Sequence, residues 1–448
     1  MPMTQSAASP DPGLETRRDE WIQAAWRRIR PDRLRDLVRG LVDIPSPTGD
    51  EAPLAGHIAA TLRDAGLFAV TQPLDDRQAN AWGRLTGDGS GADLMLYAPI
   101  DTLTTGDPEQ DLPWIGTEWR PDMRPEARVD GDLISGLGAG NPKGHAACVM
   151  AAAEAIRAAA IPLRGDLVVA FGAGGMPTNA LPGGVRRNTG QGVGCSFLIE
   201  QGVWADYAII AKPGWSVAWE EVGLAWFEVS VHGTHTYVGS RHRLPYRNAI
   251  VDAGRVAQRL DEWFAGYAAR HTDGLVAPQG VVSAIEGGWP RMAAVTPATC
   301  RLMVDLRLSP RTGPMQARRE FAAAMERIRD ELTGVEITWR PVLAIRGETT
   351  DPRTWICRSA VTAWERVSGR PHEPVTASSG ATDANILRGR GIPTARVGMP
   401  KVTDAPFPID FTSGMNTVDV RDMVRLTRLL VHAAVDTLTR PRAELGLP

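Results

Sequence analysis

From Trp21 to Ser46, WIQAAWRRIRPDRLRDLVRGLVDIPS repeats apolar residues at helical spacing and stops at a Pro-Ser turn. EAPLAGHIAATLRDAGL predicts a second helix, and FAVTQPL and DLMLYAPID predict strands. GHAACVMAAAEAIRAAA reads as an Ala-rich helix. DLVVAFGAG and DYAIIAKPG are unbroken apolar runs of the kind buried on both faces of a sheet. Strands alternating with helices predict an α/β domain with a mostly parallel sheet. Near Gly223 the period changes. AWFEVSVHG alternates, NAIVDAGRVAQRLDEWFAGYAARH is a long amphipathic helix, and GVVSAIEGG and CRLMVDLRLSP are strands. PMQARREFAAAMERIRDEL and VEITWRPV then give a helix and a strand. This order is a split βαβ unit, a ferredoxin-like α+β insertion. From Trp355 the α/β pattern resumes, ending in the helix RDMVRLTRLLVHAAVDTL. The expected organisation is a loose tail at 1–20, a discontinuous α/β domain at 21–222 and 342–448, and an inserted domain at 223–341.

The 448 residues are enough for two domains, and 43% hydrophobic content is ordinary for a globular chain. A net charge of -3 gives no global attraction to nucleic acid or to an anionic membrane. No run reaches the roughly 20 apolar residues of a membrane helix, and the polar, Pro-rich start carries no signal-peptide segment. Cys148, Cys195, Cys300 and Cys357 form no CxxC pair. The expectation is a reduced, cytoplasmic protein whose partner is a small molecule, with no nucleic acid and no membrane.

GLGAGNPKGHAACVMAAAEAI at 136–156, FEVSVHG and NAI at 227–233 and 248–250, VDLRLSP at 304–310 and GATDANIL at 380–387 occur in a distinctive order. In that order and spacing, over roughly residues 33–440, the chain resembles the di-zinc family of aminoacylases, acetylornithine deacetylases, succinyl-diaminopimelate desuccinylases and carboxypeptidase G. The resemblance implies a catalytic α/β domain interrupted by a ferredoxin-like lid, which in the family is the dimerisation surface, so a homodimer is expected.

The family's chemistry needs two zinc ions held by histidines and carboxylates, and a Glu that takes a proton from metal-bound water. On the resemblance, the first histidine falls at Pro99 and the bridging aspartate at Asn141. The Glu pair falls at Gly175 and Met176, the next carboxylate at Lys212, and the last histidine near Thr412, with Asn416 for the Glu after it. The lid histidine falls near Tyr237, with His235 a small register shift away, and Ala294 replaces an Asn. Proline, glycine and methionine do not bind zinc as imidazole or carboxylate does, and a lysine opposes a dication. No metal site and no cofactor are therefore expected.

What remains is a set of candidates. Asp101 either caps a loop or keeps a catalytic place, and Lys212 pairs with it to replace part of the lost metal charge or extends to solvent. Lys143 is a helix-start lysine or a substrate contact. His145 at a helix start is an acid or base near neutrality, or a satisfied polar residue. His235 and Tyr237 complete the catalytic candidates. Arg241, His242 and Arg247 of the basic loop HTYVGSRHRLPYRNAI suit an anionic, carboxylate-bearing substrate. Asn141 and Glu221 line the expected cleft, although Glu220 and Glu221 also read as a solvated hinge pair. Ser378 and Ser379 lack a base nearby in sequence, Cys148 reads as core, and no Walker or dinucleotide loop is present. The expected function is a metal-independent enzyme acting at a C–N or related bond of a small amino-acid-like or N-acylated carboxylate. The alternatives are a non-catalytic binding homologue that uses the old cleft, and a metal-dependent amide hydrolase with a relocated site.

Overall fold

The computed structural model describes residues 12–178, 190–405 and 414–448. The chain packs as two units. The first comprises residues up to Trp219, Thr350–Pro374 and Thr382–Pro448. The second comprises Glu220–Thr349 and Val375–Ala381. Overlapping the range expected to be a tail, Pro12–Trp26 is a helix: Ile22 and Ala25 enter the core and Arg18 is tied to Glu15 and Glu444.

In the first unit, β1 (Phe68–Pro73), β2 (Ala79–Leu85), β3 (Leu94–Pro99), β6 (Leu167–Gly172), β7 (Tyr207–Ala211) and β14 (Thr394–Val397) form one sheet, ordered β1-β2-β6-β3-β7-β14. β6, β3, β7 and β14 run parallel, and β1 and β2 add an antiparallel margin. A small antiparallel sheet joins β4 (Arg128–Asp130), β5 (Leu133–Ser135) and β15 (Thr417–Asp419). The unbroken apolar run of β3 is explained by two cores. Leu94, Leu96 and Ala98 enter a core with the helices Gly144–Ala158, Trp355–Ser368 and Val420–Leu438. Met95 and Tyr97 enter another, with Leu198 and Leu387. After β3 the chain builds β6 on one side, then crosses to build β7 on the other. The strand order therefore reverses between β3 and β7, the place where open α/β sheets leave a crevice at their carboxyl ends.

In the second unit, β9 (Gly223–His232), β10 (Gly280–Gly287), β11 (Thr299–Leu308) and β12 (Glu336–Ile345) form an antiparallel sheet ordered β10-β11-β9-β12. β9 alternates buried and half-buried positions, as a sheet covered on one face requires. The helices Ala249–His271 and Pro314–Glu331 supply Val256, Leu260, Phe321 and Met325 to its core, where Phe227 stacks on Phe321 at 4.1 Å. Asn248 caps the first helix through the Ile250 amide. Short β8 (Glu220–Glu221) and β13 (Glu348–Thr349) pair beside this sheet. No helix among the described residues is long and apolar enough to cross a membrane.

Candidate active site

Three strand ends converge at the switch point. β3 delivers Asp101, β6 runs into Ala173–Gly174–Gly175–Met176, and β7 delivers Lys212. Asp101 is fully buried. Its Oδ1 accepts the Gly175 amide at 2.8 Å, and its Oδ2 accepts the Met176 amide at 2.9 Å and the Thr48 hydroxyl at 2.7 Å. Burial pushes this carboxyl above its ordinary range, while the Thr48 and Met176 bonds, the Lys212 charge and the Gly175 bond pull it back.

A second carboxylate stands beside it that sequence reasoning missed. Glu51, also fully buried, accepts the Gly49 amide at 3.0 Å and the Gly174 amide at 2.9 Å on Oε1, and Gln78 Nε2 lies 3.0 Å from Oε2. Burial and then the Asp101 charge push it up to about 7, against the opposing pull of the Gly49 and Gln78 bonds. The amides of Gly174, Gly175 and Met176 thus all point at these two carboxylates. Thr48 and Glu51 form a T-x-x-E pattern before the helix Ala52–Asp64, which reads as a capping box. Its side chains instead reach Asp101 and the β6 loop, so the local signal disguised them.

Lys212 is 6% exposed and donates to Asn141 Oδ1 at 3.3 Å, so these two candidates meet. Close backbone packing holds this end of β7: a Cβ on Gly398 would lie 1.7 Å from the Lys212 carbonyl oxygen. His145 lies nearby and is fully buried, with the Met399 amide donating to Nε2 at 3.2 Å. Burial, then the Lys212 charge, pushes the imidazole down to about 3. The expectation that it titrates near neutrality is corrected: it is a neutral packing residue.

Lys143 is also turned to structure. Its ammonium donates to the Ile44 carbonyl at 2.7 Å, tying the helix start to the 42–44 loop, and burial pushes it down to about 7. Asp383 accepts the Tyr97 hydroxyl at 2.5 Å, a contact that needs glycine at 172, where a Cβ would lie 1.9 Å from Tyr97 Oη. Asn416 accepts the Gly138 amide and donates to Asp122. Cys148 is core, and burial pushes its thiol up to about 12.

The remaining candidates belong to the second unit. His235 is exposed, with Nδ1 2.8 Å from the Thr296 carbonyl, and Tyr237 is exposed. Arg241 lies over the Tyr246 ring at 5.0 Å, and Arg243 donates to His242. Arg247 is spent on Asp252 at 2.9 Å, where it ties the loop to the following helix. Glu220 and Glu221 are not a solvated pair. Both are buried in β8, and Glu220 accepts Arg311 and the Leu275 amide. Ser379 donates to the Ala277 carbonyl.

The donor set of the described residues does not fit two zinc ions. Among the described residues no three His, Cys, Asp or Glu side chains gather in a way that could hold a metal ion. Asp101 and Glu51 face backbone amides, and Lys212 stands where the resemblance would place a carboxylate ligand. Thr412 lies outside the described residues.

No protein-family profile matches the chain. It is 24% identical over 367 residues to a succinyl-diaminopimelate desuccinylase of Methylobacterium sp. (strain 4-46), covering 79% of this chain and 85% of that protein. It is 22% identical to the N-formyl-4-amino-5-aminomethyl-2-methylpyrimidine deformylase of Bacillus subtilis (strain 168), covering 95% of this chain and 100% of that one. Among solved structures, an M20 family metallo-carboxypeptidase from Sulfolobus solfataricus superposes with a TM-score of 0.64 at 14% identity, over 90% of this chain and 98% of the other. By sequence the chain is thus similar to a desuccinylase and a deformylase, and its fold is that of an M20 family metallo-carboxypeptidase.

Proposed function

We propose that this chain hydrolyses an amide bond in small, acylated, carboxylate-bearing substrates, using groups at the β3/β7 switch point in place of a two-zinc centre. The relatives' names supply the bond class: one removes a succinyl group, another a formyl group. The observation that carries the reading is Lys212, a nearly buried cation beside Asp101 and hydrogen-bonded to Asn141. Such an ammonium polarises the scissile carbonyl and stabilises the oxyanion in a site with little water to screen it. Asn141 orients the ammonium. Among the described residues Asp101 Oδ1 accepts one hydrogen bond, which leaves it a lone pair for the proton of the attacking water. Arg241 and His242 are exposed on the second unit, where they are proposed to meet an anionic group. The reading also takes the enzyme as a cytoplasmic homodimer through that unit, in keeping with four free, buried cysteines.

A second reading, a binding protein without turnover, is favoured by one observation: Asp101 and Glu51 are fully buried and organise the β6 loop. The two separate in an amine-release assay on N-succinyl, N-formyl and N-acetyl amino acids and dipeptides, with chelator and with zinc. Release in chelator that drops about 10²- to 10³-fold in Lys212→Met supports the enzyme. Calorimetric binding of the same compounds with no release in either buffer supports the binding protein. Release only with zinc overturns the metal-free mechanism.

A further inference from the structure

Away from the switch point, the first unit has a cavity of about 690 Å³ whose lining includes the N-terminal helix and the helices Trp355–Ser368 and Val420–Leu438. Its apolar lining includes Trp219, Pro352 and Pro374, while the Trp355 ring has the Arg440 guanidinium over it at 4.8 Å. Its charges are uneven. Glu15 is taken by Arg18 and Arg440, Asp19 by Arg366, and Asp436 by Arg440. Arg358 also lines the cavity and lies over the Trp355 ring at 5.6 Å; no carboxylate pairs with it among the described residues. His432 in the same lining is 4% exposed, and its Nδ1 has no hydrogen-bond partner among the described residues. Natural proteins rarely leave a buried ring nitrogen unmatched without a water or ligand for it.

We propose that this cavity is a second ligand site, separate from the switch point, for a small planar organic anion with a hydrogen-bonding edge. The carboxylate meets the Arg358 guanidinium in a fork geometry. The flat body lies against Trp219 and the prolines. The polar edge of the ring meets His432. A purely aliphatic dicarboxylate leaves the apolar lining and the histidine unused, so the selectivity runs toward aromatic and heteroaromatic monocarboxylates.

The test is calorimetric titration of the full chain with indole-3-carboxylate and, separately, succinate. The expected result is binding of indole-3-carboxylate that weakens at least about tenfold in Arg358→Ala and in His432→Leu, and is unchanged in Lys212→Met. Arg358 is exposed, so its variant keeps the fold and reads the site even where a change at His432 disturbs packing. Three outcomes overturn the proposal: no binding at millimolar concentration, equal affinity for succinate, or binding that survives Arg358→Ala and disappears in Lys212→Met. The last places the compound at the switch point.

Discussion

Replacing Glu51 by glutamine should leave the protein more stable than its parent at pH 8, and the structure sets the amount. The carboxyl is raised from its ordinary 4.5 to about 7 by burial and by the Asp101 charge. Between these values the native state holds the proton and the unfolded chain has released it. The associated stability is therefore complete below about 4.5 and is lost as the pH rises through about 7. At about 1.4 kcal/mol per pH unit, the loss approaches 3.5 kcal/mol by pH 8. Hydrogen bonding says where the proton sits. Oε1 accepts the Gly49 and Gly174 amides, which leaves Oε2. Gln78 Oε1 is buried without a partner, and turning that amide over places it beside the Oε2 proton. Glutamine at 51 reproduces the arrangement without a charge. Urea denaturation at pH 5 and pH 8 should show Glu51→Gln gaining about 2 kcal/mol on the parent across the interval. Parallel curves, or a loss of several kcal/mol at both values, would show Glu51 to be an ionised acceptor and refute the reasoning. Adding Asp101→Asn removes the neighbouring charge and should move the difference to lower pH.

Further outcomes follow from the same geometry. After exposure to excess zinc and gel filtration, elemental analysis should find less than one retained equivalent, since the described donor set offers no three-ligand cluster. Tyr97→Phe strips the buried donor of Asp383 and should cost about 1.5–3 kcal/mol in denaturation. Gly398→Ala drives a Cβ into the Lys212 carbonyl and should lower thermal stability and amine release together. Lys143 is pushed down to about 7, so the unfolded chain binds more protons between about 7 and 10.5 and stability should rise with pH there; Lys143→Met should lose that slope.

Element type was legible wherever a period ran long enough. The short apolar runs at 94–99, 167–172 and 207–211 read as strands buried on both faces, and the alternation of 223–232 as a half-covered sheet, and these segments are strands. Asp101 and Lys212 were legible as candidates because strand ends deliver residues to a crevice. Which polar residues would turn inward was not legible. Lys143 and His145 stand in the same stretch as Asn141, but only Asn141 meets Lys212, because the helix start turns the lysine to the 42–44 loop and the histidine into the core. Glu51 was hidden because, apart from the Gly49 amide, its contacts are at positions 78 and 174, separations that no local pattern encodes.

The retained aspartate at the end of β3 has a physical reason that does not depend on a metal. The three successive amides of Gly174, Gly175 and Met176 form a concave donor surface where the resemblance would place a pair of glutamates. With those glutamates absent, donors buried beside a sheet end must still be met, each at a cost of about 1–3 kcal/mol if left open. Asp101 takes two and Glu51 takes the third. Two carboxylates so close cannot both ionise cheaply, and the arrangement resolves this with one proton on Glu51 and one cation, Lys212, whose charge acts on Asp101. Replacing Lys212 by a neutral residue therefore does more than remove an electrophile. It raises the cost of the Asp101 charge, so Lys212→Met should lower stability at pH 8 more than at pH 5, an effect that Lys212→Arg should largely spare.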